Sequence, residues 1–215
     1  MNQFDVVVID YGIGNLLSVR RGLEHCGASV QVSSDPDVIY AAPRVLLPGV
    51  GAFANAMNEL QRLQLVEVVQ TVAARGTPLL GICLGMQLLL DQSEEFGRTS
   101  GLGLIPGGVV PINAKRPDGT PLKVPHIGWS ELYPEQGGMG WSGTLMQDVR
   151  PGEAVYFVHS FMARTLEPAH RLAQCRYGDL AVSAVIGRDN IQGCQFHPEK
   201  SGETGLKILR SFLSL

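Results

Sequence analysis

Charge is scarce in this chain. Only 17% of its 215 residues are Asp, Glu, Lys or Arg, and the formal net charge is −3. Lys and Arg occur singly or in pairs, so there is no basic stripe to neutralise a phosphate backbone, and nucleic-acid binding is excluded as a role. Cysteine is sparse too: Cys26, Cys83, Cys175 and Cys194 are scattered, with no CxxC pair and no histidine cluster. Neither zinc-ligand spacing nor a disulfide framework results, and no metal or cofactor is expected. No apolar run approaches the roughly 20 residues of a membrane span. Met1–Asp5 offers no basic n-region and no long apolar h-region, a pattern that predicts no membrane association and a reducing, cytoplasmic setting. Repeats and low-complexity tracts are absent as well.

What the chain does have is apolar residues, 45% of the total. At this length they suffice to bury the core of one domain, expected over 1–215. Phe4–Asp10 (FDVVVID) is a near-continuous apolar run, the mark of a strand covered on both faces. A glycine-punctuated turn follows at Tyr11–Asn15, and then a helix that presents Leu16, Val19, Leu23 and Cys26 to the core until Gly27 stops it. Ser29–Val32, Arg44–Leu47 and Pro78–Ile82 read as further strands, with Asp35-Pro36 opening a short helix. A long helical region ends at Gly76 and breaks near Gln64; the stretch after Cys83 (LGMQLLLD) reads as helix.

This alternation predicts an α/β fold, an open and mostly parallel sheet flanked by helices. From about Gly97 the texture changes to short β-like runs at Val109–Ile112, Leu122–Ile127, Ala154–Val158, Arg171–Cys175 and Leu180–Val185. These are expected as antiparallel strands appended to the sheet in the C-terminal half. Ser201–Leu215 closes the chain as an amphipathic helix.

The chemistry is concentrated at Gly81-Ile82-Cys83-Leu84-Gly85, a G-x-C-x-G sequence between a buried strand and a helix. This is the thiol form of a nucleophile elbow. The flanking glycines permit a sharp turn, and a helix N-terminus facing the sulfur favours its thiolate form. A nucleophilic cysteine needs a base, and the base needs an orienting group. Among the five histidines, His197 in Gln195-Phe196-His197-Pro198-Glu199 has a carboxylate two positions on, which in extended backbone points to the same side. His25, His126, His159 and His170 have no such partner at close spacing. Cys26, Cys175 and Cys194 read as small core residues.

GICLGMQ (Gly81–Gln87) and QFHPE (Gln195–Glu199) resemble, in order and spacing, the motifs of the class I (triad) glutamine amidotransferases. Four further stretches resemble a narrower branch, the glutaminase subunits of imidazole glycerol phosphate synthases: DYGIGNL (Asp10–Leu16), LPGVGAF (Leu47–Phe53), YFVHSF (Tyr156–Phe161) and HPEKS (His197–Ser201). The likeness spans essentially the whole chain. It departs from the pattern at Ser130, where Asn is expected, and at Gly202, where Gln is commoner.

The resemblance implies a catalytic set of Cys83, His197 and Glu199, with Cys83 forming a γ-glutamyl thioester. It implies an oxyanion hole made by the N–H of Leu84 and one from the Pro48–Gly51 loop, at Val50 or Gly51. It implies glutamine binding by Gln87 and by the backbone at Ser160 and Phe161, and an interface at Tyr11–Asn15. The implied partner is a cyclase subunit of (βα)₈-barrel type, forming a heterodimer that uses the ammonia. Two alternatives remain open from the residues. One is a glutaminase of the same fold with another acceptor, as in pyridoxal-phosphate synthase or anthranilate synthase, which typically carry a PGG loop where this chain reads Pro48-Gly49-Val50-Gly51. The other is a silent scaffold, against which the intact Cys83–His197–Glu199 set argues.

Overall fold

The apolar runs of the N-terminal half become strands because alternate side chains have two different cores to enter. The computed structural model describes residues 4–135 and 140–215; Met1–Gln3 of the N-terminal reading lie outside the described residues. The chain runs β1 (Val6–Ile9), α1 (Leu16–His25), β2 (Val30–Ser33), α2 (Pro36–Tyr40), β3 (Val45–Leu47), α3 (Phe53–Arg62), α4 (Leu65–Ala74), β4 (Leu79–Ile82) and α5 (Leu84–Leu88). It continues through β5 (Leu90–Ser93), β6 (Thr99–Ser100), β7 (Ile105–Pro111), β8 (His126–Glu131), β9 (Tyr133–Pro134), β10 (Ala154–His159), β11 (Phe161–Thr165), β12 (Arg171–Tyr177), β13 (Leu180–Arg188), β14 (Ile191–Cys194) and α6 (Gly202–Ser214).

The main sheet has the order β2-β1-β3-β4-β14-β13-β12-β9. Its first five strands are mutually parallel and the last three add antiparallel neighbours. In β1, Val6 and Val8 enter the core shared with α1 and α6, while Val7 and Ile9 enter the core shared with α2, α3 and α4. Helices therefore cover both faces, as the uninterrupted apolar strands require. Local signals set the helix ends. Asp35 caps α2, with Pro36 in its first turn, and Gln64 at φ +57° separates α3 from α4. Among the described residues no helix is long and apolar enough to cross a membrane.

Three expectations need correction. The helix after Cys83 ends at Leu88, and Leu90–Ser93 is strand. The Leu88, Leu89 and Leu90 carbonyls accept hydrogen bonds from Leu102, Leu104 and Gly103, so tertiary pairing overrides helix propensity there. The strand expected at Leu122–Ile127 begins only at His126, because Pro125 has no N–H to give a ladder. Not all the C-terminal strands join the main sheet, either. β11-β7-β5-β6 form a separate sheet and β8 pairs with β10 alone. Their apolar residues, such as Ile105, Val109, Val155 and Phe157, drop into the two existing cores instead.

One polar side chain fastens the β13–β14 turn to the end of α4. Asn190 Nδ2 donates to the carbonyls of Ala73 (3.0 Å) and Thr77 (2.8 Å). At about 1 kcal/mol per hydrogen bond, Asn190→Ala should destabilise the chain by about 2 kcal/mol. Urea denaturation measures this, and an unchanged midpoint would remove Asn190 from the account of the fold.

Candidate active site

Adjacent parallel strands β3, β4 and β14 all end at one edge of the sheet, and the loops leaving them meet there. This C-terminal edge is where open α/β sheets form ligand crevices. Cys83 stands between β4 and α5 with φ +55° and ψ −110°, a conformation open to glycine and strained for any other residue. Its N–H donates to the Cys194 carbonyl at 2.8 Å, and its own carbonyl accepts from Gln87 N–H at 3.2 Å. The flanking glycines act through close approach. A Cβ on Gly85 would lie 1.9 Å from the Leu47 carbonyl oxygen, and one on Gly81 would lie 2.7 Å from the Gly85 carbonyl. The following helix is only five residues long.

His197 is delivered just past the end of β14. Its N–H donates to the Tyr156 carbonyl (3.1 Å). Ser201 Oγ donates to the His197 carbonyl (2.6 Å) while accepting from Tyr156 N–H (3.0 Å). The carboxylate reaches the ring through a 3₁₀ turn at Pro198–Lys200, and not through extended backbone. His197 Nδ1 lies 2.8 Å from Glu199 Oε1, with side chains only 6% and 1% exposed. Glu199 Oε2 is buried with no hydrogen-bond partner among the described residues. Burial opposes a charge on His197, but the hydrogen bonds it donates to Cys83 and Glu199, and the charges of those groups, outweigh it and raise its pKa to about 9. At neutral pH the ring is therefore an imidazolium.

A cavity of about 320 Å³ opens beside these groups, large enough for an amino acid. Val50, Gly51, Cys83, Leu84, Gln87, Ser160, Phe161 and His197 line it, and Glu199 stands behind His197. Three further neighbours have no role assigned by the sequence motifs. Glu95 lines the cavity and accepts from Phe53 N–H at 2.6 Å; it lies in a polar stretch with no periodicity to mark it. Gln195, fully buried, directs Nε2 at the Cys83 sulfur (3.8 Å), although its place in QFHPE was a signal. His159 also lines the cavity. Tyr11, the first residue of the Tyr11–Asn15 stretch, is completely buried and donates to the Pro48 carbonyl at 2.7 Å, pinning the loop that carries Val50 and Gly51.

A family model described as glutamine amidotransferase class-I matches residues 7–214. Imidazole glycerol phosphate synthase subunit HisH 1 of Legionella pneumophila (strain Lens) is 49% identical over 210 residues, 98% of this chain and 99% of that one. The HisH subunit of Geobacillus thermodenitrificans is 47% identical over 97% of this chain and 94% of its own length. Among solved structures, a PurLQS structure from Thermotoga maritima shares the fold at TM-score 0.68 and 20% identity, covering 97% of both chains. The glutaminase domain of Trypanosoma brucei CTPS with bound acivicin does so at 0.65 and 16%, covering 97% of this chain and 93% of that one.

Two predictions follow from this geometry. Strain at Cys83 costs about 1–3 kcal/mol, whereas glycine loses only about 0.5–1 kcal/mol through its unfolded state. Cys83→Gly should therefore be more stable than Cys83→Ala by about 1 kcal/mol in chemical denaturation, and the reverse order would refute the strained turn. The second concerns pH. A histidine whose folded pKa is raised stabilises fully below its unfolded value, and the gain disappears as pH climbs through the folded value. The stability difference between wild type and His197→Gln should be flat below pH 6.5 and should shrink as pH rises through about 9. A difference that grows with pH would mean that the ring is neutral in the folded chain.

Proposed function

The chain belongs to the class-I glutamine amidotransferases, and on that premise we propose that it is the glutaminase subunit of an imidazole glycerol phosphate synthase. It hydrolyses glutamine to glutamate and ammonia and passes the ammonia to a cyclase subunit of (βα)₈-barrel type. The observation that carries this reading is the convergence of Cys83 and His197 on the wall of one amino-acid-sized cavity, with Glu199 bonded to His197 behind it. Near-full-length likeness to HisH subunits supports the choice of pathway.

In this reading Cys83 attacks the side-chain amide carbon of glutamine. The C–N bond breaks as His197 gives its proton to the departing ammonia, leaving a thioester. The same ring, now neutral, takes a proton from water that cleaves the thioester, and glutamate leaves. Glu199 fixes the ring and stabilises its cationic form. Leu84 N–H and an N–H at Val50 or Gly51 hold the oxyanion; Gly51, at φ +93°, gives that loop freedom to turn a peptide toward the site. Both N–H groups of the Gln87 side chain are engaged, so its Oε1 is left to accept. With the Glu95 carboxylate it suits the ammonium of the substrate, while the backbone at Ser160 and Phe161 borders the same end.

Ammonia released into water at neutral pH becomes unreactive ammonium, so a sealed route to a partner is needed. Val50, on the cavity wall, is exposed, as are Val124, Ile127 and Trp129 around the start of β8, which adjoins the cavity through Pro125. These apolar groups, beside the mouth, form the docking face for the barrel subunit. The four cysteines are free, as suits a cytoplasmic heterodimer, and 1–215 functions as one domain.

Assays of glutamate and acceptor product together test this. Cys83→Ala should abolish glutamine hydrolysis, and His197→Ala should lower it by about 10²–10⁴-fold. The barrel subunit with high ammonium salt should make product without this chain, more readily at alkaline pH. Wild-type chain should give about one glutamate per acceptor aminated, as sealed transfer requires. Glutaminase activity that survives in Cys83→Ala, or failure of ammonia to replace glutamine at any pH, would overturn the reading.

A further inference from the structure

Two buried histidines remain without a role in this chemistry. His126 and His159, 2% and 6% exposed, sit opposite each other across the β8–β10 pair. Nδ1 of His126 is 3.0 Å from Nε2 of His159. The outer nitrogen of His159, Nδ1, lies 2.8 Å from the Phe161 carbonyl. The outer nitrogen of His126, Nε2, lies 3.0 Å from Ser130 Oγ. Gly128, at φ +140°, stands between His126 and Ser130 and lets the strand curl enough for them to meet. Phe157 and Tyr177 stack on the His126 ring at 5.0 and 4.2 Å and hold its plane.

One carbonyl then sets every proton. Burial pushes both rings down to about 4, so each is neutral at pH 7 and carries a single N–H. The Phe161 oxygen only accepts, so His159 must hold its proton on Nδ1. Its bare Nε2 must accept, so His126 donates from Nδ1. The bare Nε2 of His126 accepts in turn, and the Ser130 hydroxyl donates. Both rings are the Nδ1–H tautomer, fixed by what each nitrogen faces.

The far end of this chain reaches the reacting sulfur. Phe161 O also accepts from Gln87 Nε2 at 3.1 Å. The other Gln87 N–H goes to Gln195 Oε1 at 2.9 Å, and Gln195 Nε2 faces Cys83 Sγ at 3.8 Å. The Phe161 oxygen thus has both lone pairs filled, one from the His159 side and one from the Gln87 side.

We propose that Ser130, His126 and His159 form a one-way hydrogen-bond relay that fixes the Phe161 carbonyl, and with it the Gln87 amide, in the pose that receives the amino-acid end of glutamine. The relay rests on the glutamine reading of the pocket. His126 and His159 are positioning residues: they act on the substrate through Phe161 and Gln87. Because Ile127 and Trp129 project from the same strand into solvent, 57% and 59% exposed, a partner pressing on β8 acts directly on the first donor of the relay.

The test uses the full chain in complex with its synthase subunit, with glutamine as substrate. Losing the donor to one buried carbonyl should raise KM for glutamine about tenfold in His159→Leu, with kcat falling less than KM rises. His159→Asn, whose amide N–H can stand where Nδ1–H stood, should recover most of that loss. Ser130→Ala should raise KM about threefold, and Ser130→Asn, which restores a donor, should reverse it. A long-range ¹H–¹⁵N spectrum of the wild-type chain should show both rings as Nδ1–H tautomers. An Nε2–H tautomer at His159, or an unchanged KM in folded His159→Leu, overturns the relay. If His159→Leu does not fold, the spectrum and the half-buried Ser130→Ala decide, and unchanged KM there counts against it equally. Wild-type complex without glutaminase activity would strike the glutaminase reading instead, which keeps the two failures apart.

Discussion

No side chain fits between the turn that carries Cys83 and the end of β3. The Leu47 carbonyl would be 1.9 Å from a Cβ at Gly85, so backbone packs directly on backbone, and the position of the thiol is set by main-chain atoms. Cys83 is held at φ +55° by this contact. The strain, about 1–3 kcal/mol, is smaller than the gain from burying the turn's neighbours. Leu80, Ile82, Leu84 and Met86 are essentially fully buried, and each contributes about 1.5–3 kcal/mol. The core thus secures a conformation that local preference rejects.

A fixed thiol makes the rest of the site a question of what the neighbouring strand delivers. β14 pairs with β4 in parallel, Cys194 against Ile82, so the residues following each strand emerge side by side. Gln195 and His197 therefore reach Cys83 from one direction, while Tyr156 and Ser201 anchor the loop from behind. On the other flank Tyr11 ties down Pro48. Parallel register explains how residues far apart in sequence arrive within contact of one sulfur.

Much of this was legible in the sequence, for physical reasons. Uninterrupted apolar strands with short helical connections admit few solutions, and G-x-C-x-G has few uses besides a tight strand-to-helix turn. The break at Gln64, the cap at Asp35 and the stop at Gly27 were local signals, and local signals survive into the structure. What escaped were features set by distant partners. Leu90–Ser93 became strand because residues 101–105 pair with the preceding carbonyls, and Glu95 faces the cavity only because β5 turns it there. His159 has no carboxylate close by in sequence; its partners are a carbonyl two residues on and a histidine 33 positions back.

The three buried histidines of this region show how environment assigns chemistry to one residue type. All three lose water on burial, which by itself drives each toward the neutral form. His126 and His159 face a hydroxyl, each other and a carbonyl; burial outweighs the help that the Phe161 carbonyl gives a charge on His159, and both fall to about 4. His197 faces Glu199 and Cys83, and rises to about 9. The result is one cationic ring on the cavity wall, with a neutral imidazole, His159, on the same wall and a second, His126, paired with it. A second imidazolium at His159 would repel the first, as the lowering of its pKa by His197 reflects. By withholding carboxylates from His126 and His159, the fold confines the positive charge to His197, beside Glu199 and Cys83, and leaves the other two rings as neutral hydrogen-bonding groups.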